Sequence, residues 1–158
     1  MKKTILMLLF SFLILKAQSL SEIKVQSIKN ETLHLKELYG QGALLINFWA
    51  LWCQPCKSEL PHLNKLYEKY KGRGITILGI NQDTPKSVSK VKSFIASQRI
   101  DFPIALDSNF EIFNKFNGQV LPYSLLIDRS GNIVYRHTGY IPGDENAFEK
   151  EIINLLNE

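Results

Sequence analysis

The only two thiols of the chain, Cys53 and Cys56, stand two residues apart in the stretch FWALWCQPCKSELP, Phe48 to Pro61. At the start of a helix, that spacing lets the sulfurs join as a disulfide with little backbone movement and leaves the first one accessible. A helix N-terminus carries partial positive charge and free N–H groups, which favour a thiolate at Cys53 and depress its pKa. Cys53 is therefore read as the nucleophile, and Cys56, one turn further in, as the resolving thiol. The chemistry is thiol–disulfide exchange. The Cys53 thiolate attacks a disulfide in a partner, a mixed disulfide forms, and Cys56 attacks Cys53 to release the reduced partner.

Other uses of a cysteine pair fit less well. A purely structural disulfide closing so short a loop would gain on the order of 2 kcal/mol, less than a longer loop provides. A zinc site needs two more ligands, and His34, His62 and His137 show no paired ligand spacing. Haem attachment requires histidine directly after the second cysteine, where this chain has Lys57. The sequence thus calls for no metal and no cofactor.

The elements that must position the cysteines can be read on either side of them. Ala43 to Ala50 is a near-continuous apolar run, the pattern of a strand buried on both faces. Leu60, Leu63, Leu66, Tyr67 and Tyr70 recur at helical spacing, which predicts a helix from Cys53 to about Tyr70, kinked at Pro61 and closed by Gly72 and Gly74. Upstream, Ser19 to Tyr39 alternates around Lys29-Asn30-Glu31 as a small β-hairpin followed by a helical turn at 36–39. Downstream, the patterns predict a strand at 75–80, an amphipathic helix at 85–98, a short strand at 104–106 and a helix at 109–116. Two strands, 123–128 and 133–137, join through Arg129-Ser130-Gly131-Asn132, and a last helix capped by Asp144 runs to Leu156. Helices alternating with strands and ending in a hairpin and helix argue an α/β fold, a central mixed sheet flanked by helices.

Across the 158 residues, 45% apolar and 22% charged side chains describe a globular protein with a real core. The formal charge of +4 suggests a polyanion partner only until Lys2, Lys3 and Lys16 are set aside. Those three belong to the N-terminal segment MKKTILMLLFSFLILKAQS; without them 16 basic residues face 15 acidic ones, and nucleic acid is not an expected partner. The apolar run Ile5 to Leu15 falls short of the roughly 20 residues that span a bilayer and matches a secretory signal. Residues 1–17 are read as a signal peptide cleaved after Ala17, or as a membrane anchor where cleavage does not occur, and 19–158 as one domain. Export would place the cysteines in an oxidising compartment, periplasmic or otherwise extracytoplasmic.

FWALWCQPCKSELP, followed far downstream by VLPYSLLIDRSGNIVYRHTGY, resembles the TlpA/ResA-type thiol-disulfide oxidoreductases of the thioredoxin superfamily. The resemblance covers essentially everything after the signal segment. It implies a thioredoxin-like fold with an N-terminal β-hairpin and with a helix and strand, Pro85 to Leu106, inserted before a cis-proline at Pro122. There the backbone of Leu121 would receive an extended substrate segment; Trp49 and Trp52 are expected under and beside the active-site loop, where core filling explains them as well as substrate contact does. The family also places a carboxylate at Glu59, three residues after Cys56, where it could exchange a proton with the resolving thiol; the alternative is a solvated helix charge. Read as a helix-surface group, Glu59 should accept replacement by glutamine with little effect on folding. Where cytoplasmic thioredoxins bury an aspartate before the motif, this chain has Asn47, which cannot take up a proton.

Gln54-Pro55 between the cysteines lacks the histidine of the strong oxidants in this superfamily, which points to the reducing end of its range, nearer about −270 than about −120 mV. A reductant in an oxidising compartment implies a membrane electron donor and disulfide-containing clients such as an apocytochrome, with the chain acting as a monomer. Two rival functions remain within related folds. A peroxidase would need a threonine three residues before its reactive cysteine, where Ala50 stands. A non-catalytic copper-delivery module would place three residues between its cysteines rather than two.

Overall fold

The computed structural model describes residues 20–157; the segment read as an export signal, and Ser19 at the start of the expected domain, lie outside them. In chain order the elements are β1 (Lys24–Ser27), β2 (Thr32–His34), α1 (Leu35–Gly40), β3 (Ala43–Trp49), α2 (Gln54–Tyr70) and β4 (Ile75–Asn81). They continue with α3 (Val88–Gln98), β5 (Ile104–Leu106), α4 (Glu111–Lys115), β6 (Tyr123–Ile127), β7 (Ile133–Thr138) and α5 (Asp144–Leu156). The seven strands form one sheet in the order β2-β1-β5-β4-β3-β6-β7. β3 runs parallel to β4 and antiparallel to β6, so the sheet is mixed.

All seven residues of β3 are buried, as its near-continuous apolar run predicts, the polar Asn47 among them. Alternation along the strand divides them between two cores. Leu44, Ile46 and Phe48 pack with Leu35 and Tyr39 of α1 and with Ile112 and Phe113 of α4. Ala43, Leu45 and Trp49 pack with Leu60, Leu63 and Leu66 of α2, Val91 of α3, and Phe148 and Ile152 of α5. The sheet is thus covered by helices on both faces, the thioredoxin-like arrangement. The N-terminal hairpin joins it through β1, which pairs with β5, and β5 in turn extends the parallel ladder from β4.

Local chemistry adjusts several expected boundaries. The helix expected at 85–98 opens as a separate 3₁₀ turn, Pro85–Ser87, before α3. The helix expected at 109–116 contracts to α4, because Phe110 takes a left-handed conformation and the Asp107 carboxylate accepts the N–H groups of Ile112 and Phe113. Asp144 does not cap α5 from outside: Gly143, at φ +111°, holds the flanking position, and Asp144 is the first helical residue. Its carboxylate turns back to accept the Ile141 N–H at 2.9 Å and lies 3.0 Å from His137 Nε2. α2 continues as one helix through Pro61, whose missing N–H leaves the Lys57 carbonyl without its ordinary helical donor. The 129–132 turn forms as expected, with the Asp128 carboxylate accepting the N–H groups of Ser130 and Asn132 around Gly131.

The starts of β3 and β4 meet at two glycines. Ala43 N–H donates to the Gly74 carbonyl at 2.8 Å, and a Cβ on Gly42 would occupy the space of that same carbonyl oxygen. Gly42→Ala is therefore expected to destabilise the fold by about 2–3 kcal/mol through forced separation of backbones that cannot yield as a side chain would. Urea unfolding at constant m-value measures it, and an unchanged midpoint would contradict the close approach.

Candidate functional site

Where β3 ends, Ala50, Leu51 and Trp52 turn the chain into α2. Cys53 N–H donates to the Ala50 carbonyl at 3.1 Å, closing the turn, and Cys53 takes the N-cap position in extended conformation. Its Sγ accepts the Cys56 N–H at 3.3 Å, so the sulfur sits over one of the N–H groups that the first helical turn leaves free. Pro55 occupies the first turn, where the lack of an N–H costs nothing. Cys53 and Cys56 are joined as a disulfide with their Cα atoms 5.3 Å apart; Cys53 keeps 6% of its surface exposed and Cys56 none.

The Leu121–Pro122 peptide is cis. The register pairs Phe48 of β3 with Tyr123 of β6, so the residues after one and before the other emerge at the same edge of the sheet. The Pro122 carbonyl accepts the Gly139 N–H at 2.8 Å, which brings the end of β7 to that edge as well. Three large apolar side chains carried by these segments are open to solvent: Trp52 at 66%, Val120 at 58% and Ile141 at 69%. Trp49, by contrast, is fully buried, with its ring centroid 5.7 Å from that of Phe94. Leu121 is partly buried and packs against both cores.

Glu59 is not a solvated charge. It is 1% exposed and points into the interface between α2 and the sheet, where Asn47 Nδ2 donates to its Oε2 at 2.8 Å. The same Asn47 group donates to Ser124 Oγ at 2.9 Å, and Asn47 and Ser124 face each other across β3 and β6. Burial, partly opposed by the Asn47 bond and reinforced by the Asp144 charge, pushes the Glu59 carboxyl up from 4.5 to about 8. Asn47 Oδ1 and Glu59 Oε1 are both buried with no hydrogen-bond partner among the described residues. Protonation converts one of those two lone acceptors into a donor, the form that burial favours. Asn47, noted in the sequence only as a departure, is thus the residue that holds the carboxyl.

Sequence reasoning missed a second polar group at this edge. Asn81 ends β4 and Gln82 and Asp83 follow it; all three are buried, and Asp83 Oδ2 accepts the Leu51 N–H at 2.7 Å from the turn before Cys53. The signal was present as three consecutive polar residues ending an apolar strand. Two of the histidines meet carboxylates at the start of α5: His62 lies 3.5 Å from Glu145, and His137 3.0 Å from Asp144. Among the described residues no three His, Cys, Asp or Glu side chains are grouped to hold a metal ion.

Comparison with known proteins places this geometry in context. Residues 17–136 match the model of the AhpC/TSA family. The chain is similar to the thiol-disulfide oxidoreductase ResA of Halalkalibacterium halodurans, at 36% identity over 84% of this chain and 72% of that one. It is also 36% identical to ResA of Bacillus cereus over 73% of this chain, a match that spans only 65% of that relative's length. Among solved structures, a thiol:disulfide interchange protein of the thioredoxin family from Chlorobium tepidum superimposes with a TM-score of 0.73 at 26% identity, covering 85% of this chain and 92% of that one.

The raised pKa of Glu59 has a consequence for stability that corrects the mild effect expected of a surface residue. Between pH 4.5 and about 8 the folded, disulfide form retains a proton that the unfolded chain has released. Stability attributable to Glu59 is thus full below pH 4.5 and declines as pH rises to about 8, at up to about 1.4 kcal/mol per pH unit. Glu59→Gln cannot titrate, so its advantage over the wild type should grow across that window. Urea unfolding of both oxidised proteins at pH 4.5, 6, 7 and 8 checks this; parallel curves would mean that the carboxyl is ionised throughout.

Proposed function

The chain belongs to the AhpC/TSA family and within it to the ResA type, and from that premise we propose that it is an exported thiol-disulfide oxidoreductase that reduces disulfides in client proteins. The observation that carries the reading is the placement of Cys53 Sγ at the N-cap of α2, accepting the Cys56 N–H, with Cys56 buried one turn behind. That arrangement stabilises a thiolate on Cys53 and keeps the second sulfur within reach of the first.

In the proposed cycle the Cys53 thiolate attacks one sulfur of a client disulfide; the other client sulfur leaves as a thiolate and takes a proton from solvent. Cys56 then gives its proton to Glu59, in the fraction of molecules in which a carboxyl near 8 is ionised, and attacks Cys53 Sγ. The mixed disulfide breaks, the second client sulfur leaves as a thiolate and takes a proton from solvent, and two electrons have passed from the Cys53/Cys56 dithiol to the client. Glu59 suits the exchange because its carboxyl, pushed up to about 8, lies close to the ordinary thiol value of roughly 8.5. A membrane donor would restore the dithiol, and the Glu59 proton would return to Cys56.

Trp52, Leu121 and Pro122 supply the client contact in this reading, Trp52 through its exposed ring and Leu121 through backbone groups beside the cis peptide. The setting is extracytoplasmic, with residues 1–17 as signal or anchor; clients include apocytochromes, and the working unit is a monomer. Peroxide reduction has weaker support, since Ala50 occupies the position where that chemistry uses a threonine hydroxyl.

Trapping tests the proposal. Cys56→Ala should accumulate mixed disulfides between Cys53 and extracytoplasmic proteins, released by reductant and absent from Cys53→Ala. Wild-type protein should catalyse insulin reduction by dithiothreitol, and Glu59→Gln should slow it by about tenfold or more with a flattened pH profile. A Cys56→Ala protein that captures no client would refute the reductase assignment, and superimposable pH profiles would remove Glu59 from the mechanism.

A further inference from the structure

The turn that delivers Cys53 is tied to the sheet by a side chain. The parallel ladder between β3 and β4 ends at Trp49 and Asn81, and Gln82 N–H then donates to the Trp49 carbonyl at 2.9 Å. In a parallel ladder the next donor on that side of β3 is the Leu51 N–H, which would ordinarily seek a main-chain carbonyl of the neighbouring strand. Here it goes to Asp83 Oδ2 at 2.7 Å. A carboxylate thus replaces a strand carbonyl at the point where the chain must leave the sheet and start α2.

Asp83 is itself held on several sides. Asn81 Nδ2 donates to the same Oδ2 at 2.8 Å, Asn81 Oδ1 accepts the Asp83 N–H at 3.1 Å, and Ser108 Oγ donates to the Asp83 carbonyl at 2.6 Å. Asn81 is fully buried at the end of β4. The acceptor offered to Leu51 is therefore positioned by the rigid end of the central sheet, and the bond is of the short, charge-assisted kind. Two residues further on, Cys53 N–H closes its turn onto Ala50, and Cys53 Sγ meets the Cys56 N–H.

We propose that Asp83 is a positioning residue for Cys53, holding the Ala50–Trp52 turn through the Leu51 N–H so that the sulfur stays over the first turn of α2. The role belongs to the placed oxygen rather than to the charge. A negative charge near the loop opposes a thiolate, whereas the geometry it enforces favours one. The inference rests on Cys53 being the attacking thiol, as proposed above.

Alkylation reads the effect directly, without client or donor, so failure of the client assay leaves it intact. In a Cys56→Ala background, which keeps the backbone N–H at position 56, the rate of iodoacetamide modification of Cys53 is measured from pH 5 to 9. Asp83→Asn can keep its oxygen on Leu51 and Asn81 while losing the charge, and should stay within about twofold of the parent or exceed it at low pH. Asp83→Glu keeps the charge but displaces the oxygen by one methylene; its alkylation midpoint should rise and its rate at pH 6 fall about fivefold or more. Hydrogen exchange at the Leu51 amide should be slow in the parent and in Asp83→Asn and fast in Asp83→Glu. The proposal is overturned by an Asp83→Glu profile matching the parent, by an Asp83→Asn loss as large as that of Asp83→Glu, or by a Leu51 amide unprotected in the parent. Should Asp83→Glu fail to fold in thermal melts, the Asp83→Asn rate and the parent's Leu51 protection decide the matter.

Discussion

Strand β3 is hydrogen-bonded on both edges, to β4 and to β6, and buried on both faces, and this double confinement leaves its end no freedom. A strand with one open edge could fray or slip; here a shift of one residue would exchange Leu45 and Trp49 with Ile46 and Phe48 and empty both cores at once. The residue leaving the sheet is therefore always the same one, at the same height, beside the same loop of β6. A helix starting four residues later inherits that placement, and Cys53 at its N-cap needs only a short turn to be held where an N–H can meet its sulfur.

The confinement also determines what Asn47 can do. Its position in the alternation directs it to the face covered by α2, in a layer otherwise made of Leu45, Trp49, Leu60 and Leu63. A polar side chain there is unfavourable unless bonded, and Asn47 spends its two donor hydrogens on Glu59 and Ser124. Two acceptors remain unmatched, and a carboxyl in that state resists ionisation. The same arrangement that weakens the fold at neutral and alkaline pH thus keeps Glu59 near the acidity of a thiol. A fully satisfied or apolar pair at these positions would make a sturdier layer and a poorer proton acceptor, the usual trade between stability and a poised site.

The sheet, the hairpin and most helices were legible because they follow from periodicity: β3 from a run of six apolar residues interrupted only by Asn47, α2 from Leu60, Leu63 and Leu66. The cysteine pair was legible from spacing alone. What could not be read was anything set by contacts across the sheet. The environment of Glu59 depends on Asn47 lying opposite Ser124, a register relation between residues 77 apart in sequence. On helical periodicity Glu59 falls on the apolar stripe, three residues after Cys56 and four before Leu63, but its charge argues for solvent, and its bonding partners across the sheet are not legible locally. Asp144 misled for a simpler reason: aspartate is a good capping residue, but the chain needed a left-handed residue just before the helix, and Gly143 accepts that conformation at less cost. Asp83 was passed over because a carboxylate after a strand reads as a loop residue, and nothing local reveals that its acceptor reaches back to Leu51.

The two cysteines are served by separate polar systems, and the separation matters for the proposed chemistry. Asp83 approaches from the end of β4 and touches only the backbone of the turn before Cys53, so it governs where the first sulfur sits. Glu59 lies on α2 beyond Cys56, bonded to the interior of the sheet, and in the proposed cycle it receives the proton of the second. In the proposed exchange the first sulfur must act as a nucleophile while the second remains a protonated thiol, and the second must then lose its proton only after the mixed disulfide has formed. A single titrating group placed between the sulfurs would couple those two events. In the proposal the helix N-terminus would stabilise the Cys53 thiolate by backbone geometry, independent of any proton, while the buried carboxyl would take up the Cys56 proton at the later step. The exposed rings and chains of Trp52, Val120 and Ile141 border the same edge from three different segments. A client seated on them would displace water from the mixed disulfide and strengthen the Glu59 interaction when the second proton has to move.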